Sequence, residues 1–116
     1  MAQDDCIFCR IIQGEMEAEI LYQDEKVVAF KDVNPQAPVH ILLVPVKHIP
    51  SLKDFTGSEF ELVADIHEVA VKLAEEQGLA SEGFRIVNNC GSKGGQTVNH
   101  VHFHLLGGRQ LKWPPG

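Results

Sequence analysis

His100-Val101-His102-Phe103-His104-Leu105-Leu106 places three of the chain's six histidines at alternate positions of an apolar segment. Read as a strand, the run puts the three imidazoles on one face and turns Val101, Phe103 and Leu105 the other way into a core. A histidine face set against a core has to look into a cleft or be heavily hydrogen-bonded, so the run reads as a chemical site. Alternate residues of a strand lie roughly 6.5 Å apart, which separates His100 from His104 by about 13 Å. One zinc, with Zn–N bonds of about 2.0–2.1 Å, can take two neighbours of the row but hardly all three. The row therefore fits a substrate better than a single ion: neutral imidazoles can serve there as nucleophile, donor to anionic oxygens and proton carrier. A metal-binding strand and unrelated surface histidines are the competing readings.

Immediately before the row, Asn88-Asn89-Cys90-Gly91-Ser92-Lys93-Gly94-Gly95-Gln96-Thr97 is rich in turn formers. Its glycines allow positive φ and close approach of backbone N–H groups to a ligand, for which phosphate is the natural guest. Most glycine-rich turns are only tight turns, and this one gains weight from its place beside the histidines.

Working outward, 116 residues with 44% hydrophobic content suit one domain, 1–116, around one core. A net charge of −6 argues against a nucleic-acid surface, which needs a basic patch. No apolar run approaches the roughly 20 residues that span a bilayer. The start, Met1-Ala2-Gln3-Asp4-Asp5, is acidic and unlike a signal peptide. The expected setting is the cytoplasm and the expected ligand a small nucleotide held by dipoles and hydrogen bonds, with neither membrane nor nucleic acid as partner.

Three cysteines do not make a secreted disulfide framework. The pair Cys6-Ile7-Phe8-Cys9 is open to three readings: a redox couple, half of a zinc site, or two small buried residues. Cys90 reads as a residue of its loop.

The spacing predicts a short helix over 6–12 and strands over 19–22 and 27–30 around a turn at Asp24-Glu25. It adds an apolar central strand over 39–46 and strands over 84–87 and 98–106. One long helix is expected from near Ser58, where Ser58-Glu59-Phe60-Glu61 resembles a capping box, to just before Gly78. Leu62, Val63, Ile66, Val69, Ala70 and Leu73 form its inward stripe. His67 lies on this helix away from the motifs and reads as a surface or packing residue. The fold class is α+β, with a mostly antiparallel sheet.

The pattern of the histidine row resembles the signature of the histidine-triad superfamily of nucleotide hydrolases and transferases. The longer run from Gly94-Gly95-Gln96-Thr97 through the row to Gly107-Gly108-Arg109-Gln110 and Trp113-Pro114-Pro115-Gly116 is similar to the nucleotide-binding branch, the purine nucleoside phosphoramidases. Ile7-Phe8, Phe30-Lys31-Asp32, Pro35-Gln36-Ala37-Pro38 and His40 fit that branch in order and spacing, so the resemblance spans nearly the whole chain. It implies the histidine-triad-like fold as a homodimer, with the tail 107–116 at the dimer interface and Trp113 near the partner's site.

For the chemistry, the resemblance implies that His102 attacks the α-phosphorus, giving a nucleotidyl-histidine that water hydrolyses. It implies that His104 binds non-bridging oxygens, that His40 supports the proton network, and that Thr97 reaches the leaving nitrogen. Gly95 and Val98 would add N–H donors, with Gln96 and Asn89 in the polar part of the site. Asp32 would accept from ribose hydroxyls, and Ile7, Phe8, Ile11, Phe30, Val33 and Leu42 would wall the base. Thr97 stands where the branch usually has serine, and Asn99 where an aromatic residue is common; neither departure removes a catalytic group. No cofactor is implied for catalysis. Some members hold a structural zinc at positions that here are Cys6, Cys9, His48 and His100, a Cys2His2 set suited to a closed tetrahedral site; many phosphoramidases lack the cysteines. A dinucleoside polyphosphate hydrolase and a nucleotide-binding regulatory partner with incidental catalysis are the alternatives.

Overall fold

The computed structural model describes Gln3 and residues 5–116; Met1, Ala2 and Asp4 of the acidic start lie outside the described residues. A helix α1 (Ile7–Ile12) is followed by strands β1 (Ile20–Gln23), β2 (Val27–Lys31) and β3 (Val39–Pro45). The long helix α2 (Glu61–Glu76) then leads to β4 (Arg85–Asn88) and β5 (Phe103–Gly107). The five strands form one antiparallel sheet in the order β1-β2-β3-β5-β4. The α+β class expected from the sequence is thus the observed one. Among the described residues no helix is long and apolar enough to cross a membrane.

Local chemistry explains the element ends. Cys6 caps α1, its Sγ accepting from Cys9 N at 3.4 Å. The β1–β2 turn is tied by Asp24, whose Oδ1 accepts from Lys26 N and Val27 N at 2.7 and 2.8 Å. The capping box lies two residues earlier than the sequence suggested. Thr56, not Ser58, is the cap, with Thr56 N donating to Glu59 Oε1 at 2.9 Å. A 3-10 turn, Gly57–Phe60, precedes α2 proper. Glu59 also pairs with Lys47, which fixes the carboxylate to the body of the protein.

A second correction concerns the histidine strand, expected over 98–106 but confined to 103–107. The registers explain it: β5 pairs with β3 only as far as Leu43↔Phe103, and β4 ends at Asn88↔Phe103. Two residues further along β3 stands Pro45, which has no N–H to offer. Val101 N donates instead to Ile49 O at 2.7 Å, in the loop beyond β3. His100 and His102 therefore sit in an irregular approach to β5, where a side chain is freer to turn.

Alternation along the strands divides the core in two. Ile41, Leu43, Val101, Phe103 and Leu105 face α2 and its buried Ile66, Val69, Ala70 and Leu73, as the stripe predicted. His67 packs edge-on against Phe103 with ring centroids 5.5 Å apart, which agrees with its packing reading. On the opposite face Val28, Phe30, Leu42 and Val44 meet Cys6, Phe8, Cys9 and Ile11. Helix α1 has six residues, about 9 Å of rise, and cannot cover that face. What it leaves open is the region of His40, His102 and His104.

Leu43→Ala, at a fully buried position on the central strand, is expected to lower the unfolding free energy by about 2–5 kcal/mol in a chemical-denaturation titration.

Candidate active site

All three imidazoles of the row lie on the α1 side of the sheet, but they do not share one environment. His102 is buried, with the Phe8 ring edge-on at 5.0 Å. Its Nδ1 is 2.8 Å from the carbonyl oxygen of His100, which can only accept. The proton therefore sits on Nδ1, and Nε2 carries a bare lone pair. Burial pushes the pKa of His102 below the ordinary imidazole value, against the opposing effect of that hydrogen bond. Near neutral pH the residue is an uncharged imidazole of defined tautomer, with a lone pair available for nucleophilic attack.

The same reasoning orders the neighbouring pair. Gln36 N–H donates to His40 Nδ1 at 3.0 Å, so Nδ1 is the acceptor and the His40 proton sits on Nε2. That Nε2 lies 2.9 Å from His104 Nδ1, which accepts in turn, leaving the His104 proton on its own Nε2. Asp32 Oδ2 lies 3.4 Å from His40 Nε2. Burial lowers the pKa of both rings, that of His40 against the pull of Asp32 and that of His104 to about 4, with His102 and His40 adding to the fall. The result is a neutral relay in which His104 has an N–H to offer and His102 a lone pair.

Both histidines line a cavity of about 350 Å³, within the usual range for small-molecule sites. Ile7, Phe8, Ile11, Phe30, Asp32, Val33, Leu42, Thr97 and Val98 line it as well. Val33 is a rim residue, 93% exposed. His40 stands behind His104. Met16, Glu17, Ala18 and Lys31 also line the cavity and were missed by sequence reasoning. Lys31 carried a signal in its place beside Asp32, whereas residues 16–18 lie in an irregular connection with none.

The remaining candidates lie outside the cavity wall. Asn89 Nδ2 donates to Gly94 O at 2.7 Å, and Gly95, with φ of 84°, belongs to the same turn. Gln96 spends its amide on the main chain: Oε1 accepts from Gly91 N at 3.0 Å while Nε2 donates to Pro50 O and Val98 O at 2.7 and 2.9 Å. Trp113 is 82% exposed in the tail.

His100 is turned away from the cavity and fully buried. Its Nε2 donates to Pro45 O at 2.9 Å, which leaves Nδ1 as an acceptor facing Cys6 Sγ at 3.4 Å and Cys9 Sγ at 3.5 Å. His48 Nδ1 lies 3.2 Å from Cys9 Sγ, and all four side chains offer a ligand atom within 4.8 Å of one another. A tetrahedral zinc with Zn–S near 2.3 Å and Zn–N near 2.0–2.1 Å needs N···S edges of about 3.5 Å. The donor set fits that ion in type and spacing. Burial raises the Cys9 thiol pKa and lowers that of His100 to about 4, so without a cation both groups are neutral.

A family model described as "Scavenger mRNA decapping enzyme C-term binding" matches residues 5–112. Among curated proteins the chain is 48% identical over 113 residues to an uncharacterized HIT-like protein of Synechococcus elongatus, covering 97% of this chain and 98% of that one. It is 44% identical over 108 residues to the purine nucleoside phosphoramidase of Escherichia coli K12, covering 93% and 91% of the two chains. Among solved structures, a HIT family hydrolase from Legionella pneumophila superposes with a TM-score of 0.94 at 49% identity, over 97% of this chain and all of that one.

Because His104 titrates near 4 in the folded chain and near 6.5 when unfolded, the unfolded state binds the extra proton between those values. Its contribution to stability is complete above about pH 6.5 and is lost as the pH falls toward 4. The slope of unfolding free energy against pH over that window should be shallower in His104→Gln than in the wild type.

Proposed function

As the chain belongs to the histidine-triad (HIT) superfamily of hydrolases, we propose that it cleaves the P–N bond of purine nucleoside 5′-phosphoramidates through a nucleotidyl-histidine intermediate. The observation that carries this reading is the unprotonated Nε2 of His102 beside the N–H donor of His104 on the wall of one nucleotide-sized cavity. The similarity to a phosphoramidase over nearly the full length of both chains supports it.

In the first step the Nε2 lone pair forms a bond to the α-phosphorus. The bond from phosphorus to the amine nitrogen breaks, and its electron pair leaves with the amine, which takes a proton from solvent; the second step returns one. Thr97, which lines the cavity, hydrogen-bonds that nitrogen. The His104 N–H stabilises the non-bridging oxygens as their charge grows, and it is backed by His40, so a donor already oriented needs no reorganisation at the moment of reaction. In the second step water forms the new P–O bond, the N–P pair returns to His102, and the water proton is released. Two in-line displacements replace one difficult reaction. Phe8, Ile11, Phe30 and Leu42 give the base an apolar slot, and Asp32 accepts from the ribose hydroxyls.

Zinc on Cys6, Cys9, His48 and His100 is part of this proposal, as a closed structural ion with no open position for substrate. So is a homodimer that covers the exposed Trp113 and the tail around it.

Steady-state hydrolysis of an adenosine 5′-phosphoramidate is expected to exceed that of diadenosine tetraphosphate. His102→Ala should abolish it while AMP still binds in calorimetry; faster cleavage of the polyphosphate would move the chain to the anhydride reaction. Since protonation removes the attacking lone pair, and burial lowers the His102 pKa, the acid limb of kcat/KM should lie below pH 6.5, with activity falling as pH falls. Metal analysis should find one zinc per chain, and Cys9→Ser should melt at lower temperature than the wild type; an equal melting temperature and no bound metal would remove the zinc.

A further inference from the structure

Gln36, in the loop between β2 and β3, and Arg109, in the tail after β5, take no part in the reaction just described. Hydrogen bonds on the two sides of the Gln36 backbone nevertheless link them to it. Arg109 donates from Nε and Nη2 to the Gln36 carbonyl, at 3.1 and 3.0 Å. The N–H of the same residue is the donor to His40 Nδ1, and His40 Nε2 faces His104 Nδ1. The loop is wound tightly around this point: Asp32 Oδ1 accepts from Asn34 N at 2.8 Å, and Gln36 Nε2 donates to Asn34 O at 3.0 Å. Arg109 reaches it because Gly108 has a φ of 92° and no side chain, where a Cβ would stand 2.9 Å from Pro38 Cβ.

A neutral imidazole has one proton for two nitrogens, and its partner decides which nitrogen holds it. With the Gln36 N–H in place, His40 must carry its proton on Nε2, and His104 on its cavity-side nitrogen. Without it, His40 is free to protonate Nδ1 and to accept on Nε2 from His104. His104 would then turn a lone pair, not a donor, toward the phosphate oxygens.

We infer that Arg109 is a positioning residue for the histidine pair: by gripping the Gln36 carbonyl it holds that residue so that its N–H selects the tautomers of His40 and His104 that present an N–H to the substrate. The consequence for turnover rests on the phosphoramidase reading above, whereas the tautomers do not.

The test is imidazole 15N NMR on histidine-labelled wild type, Arg109→Ala, Arg109→Lys and Arg85→Ala, with kcat and KM on an adenosine phosphoramidate. Arg85 also holds the tail, donating to Lys112 O at 2.9 Å, and is not part of the hydrogen bonds that run from Arg109 through Gln36 to the histidines. The wild type should show single Nε2–H tautomers at His40 and His104. Arg109→Ala should show mixed ones, with kcat lowered about tenfold, as the loss of the charged grip on one carbonyl implies, and KM little changed. Arg109→Lys, with a single centre of positive charge, should fall between, and Arg85→Ala should match the wild type. Wild-type tautomers in folded Arg109→Ala would overturn the inference, and so would an equal shift in Arg85→Ala. Should Arg109→Ala not fold, Arg109→Met, which keeps the aliphatic stem but has no donor for the Gln36 carbonyl, is read the same way. A tautomer shift in a protein whose wild type does not turn over phosphoramidate would sink the functional reading and leave this one standing.

Discussion

The buried hydrogen bond from His100 Nε2 to the Pro45 carbonyl ties together the parts of this molecule on which the site depends. It joins the end of β3 to the segment entering β5 at the point where strand pairing has stopped. It assigns the His100 proton, and so leaves Nδ1 unprotonated toward two thiols. The backbone carbonyl of the same residue holds His102 by its Nδ1. One residue thus ties the sheet, the cysteine helix and the proposed nucleophile together, and a buried polar group with every partner present is costly to disturb.

Alternation explains what could be read in advance. The histidines at even positions and the apolar residues at odd ones correctly placed Val101, Phe103 and Leu105 against α2, because a period of two survives even where a strand loses its regular pairing. The end of that pairing was not legible, since it depends on Pro45 falling opposite the run, a matter of register between distant segments. The capping box was misplaced for a related reason. Thr56 and Ser58 are both good caps, and Glu59 chose between them through its contacts with Thr56 and Lys47. Of the cavity, the apolar wall was legible only through resemblance, and the side chains of Met16 and Glu17 arrive on a connection with no periodicity at all.

An acidic chain with a formal charge of −6 has little long-range attraction for a phosphate-bearing ligand. Its histidine cluster adds none, because burial holds His40, His102 and His104 neutral. Recognition at such a site falls to directed dipoles at short range. That makes the identity of each ring nitrogen, and not the number of positive charges, the quantity that the fold has to control.

The loop of residues 89–97 shows how far that control extends. Gln96 has bonded its whole side-chain amide to main-chain groups on three sides, and a side chain at Gly94 would run into the Cys90 backbone. The loop is therefore held in shape by its own main chain and the side chain of Gln96. Rigidity of this kind moves the entropic penalty of ordering from the binding event to folding, so a ligand arriving at the histidines meets a surface that is already set.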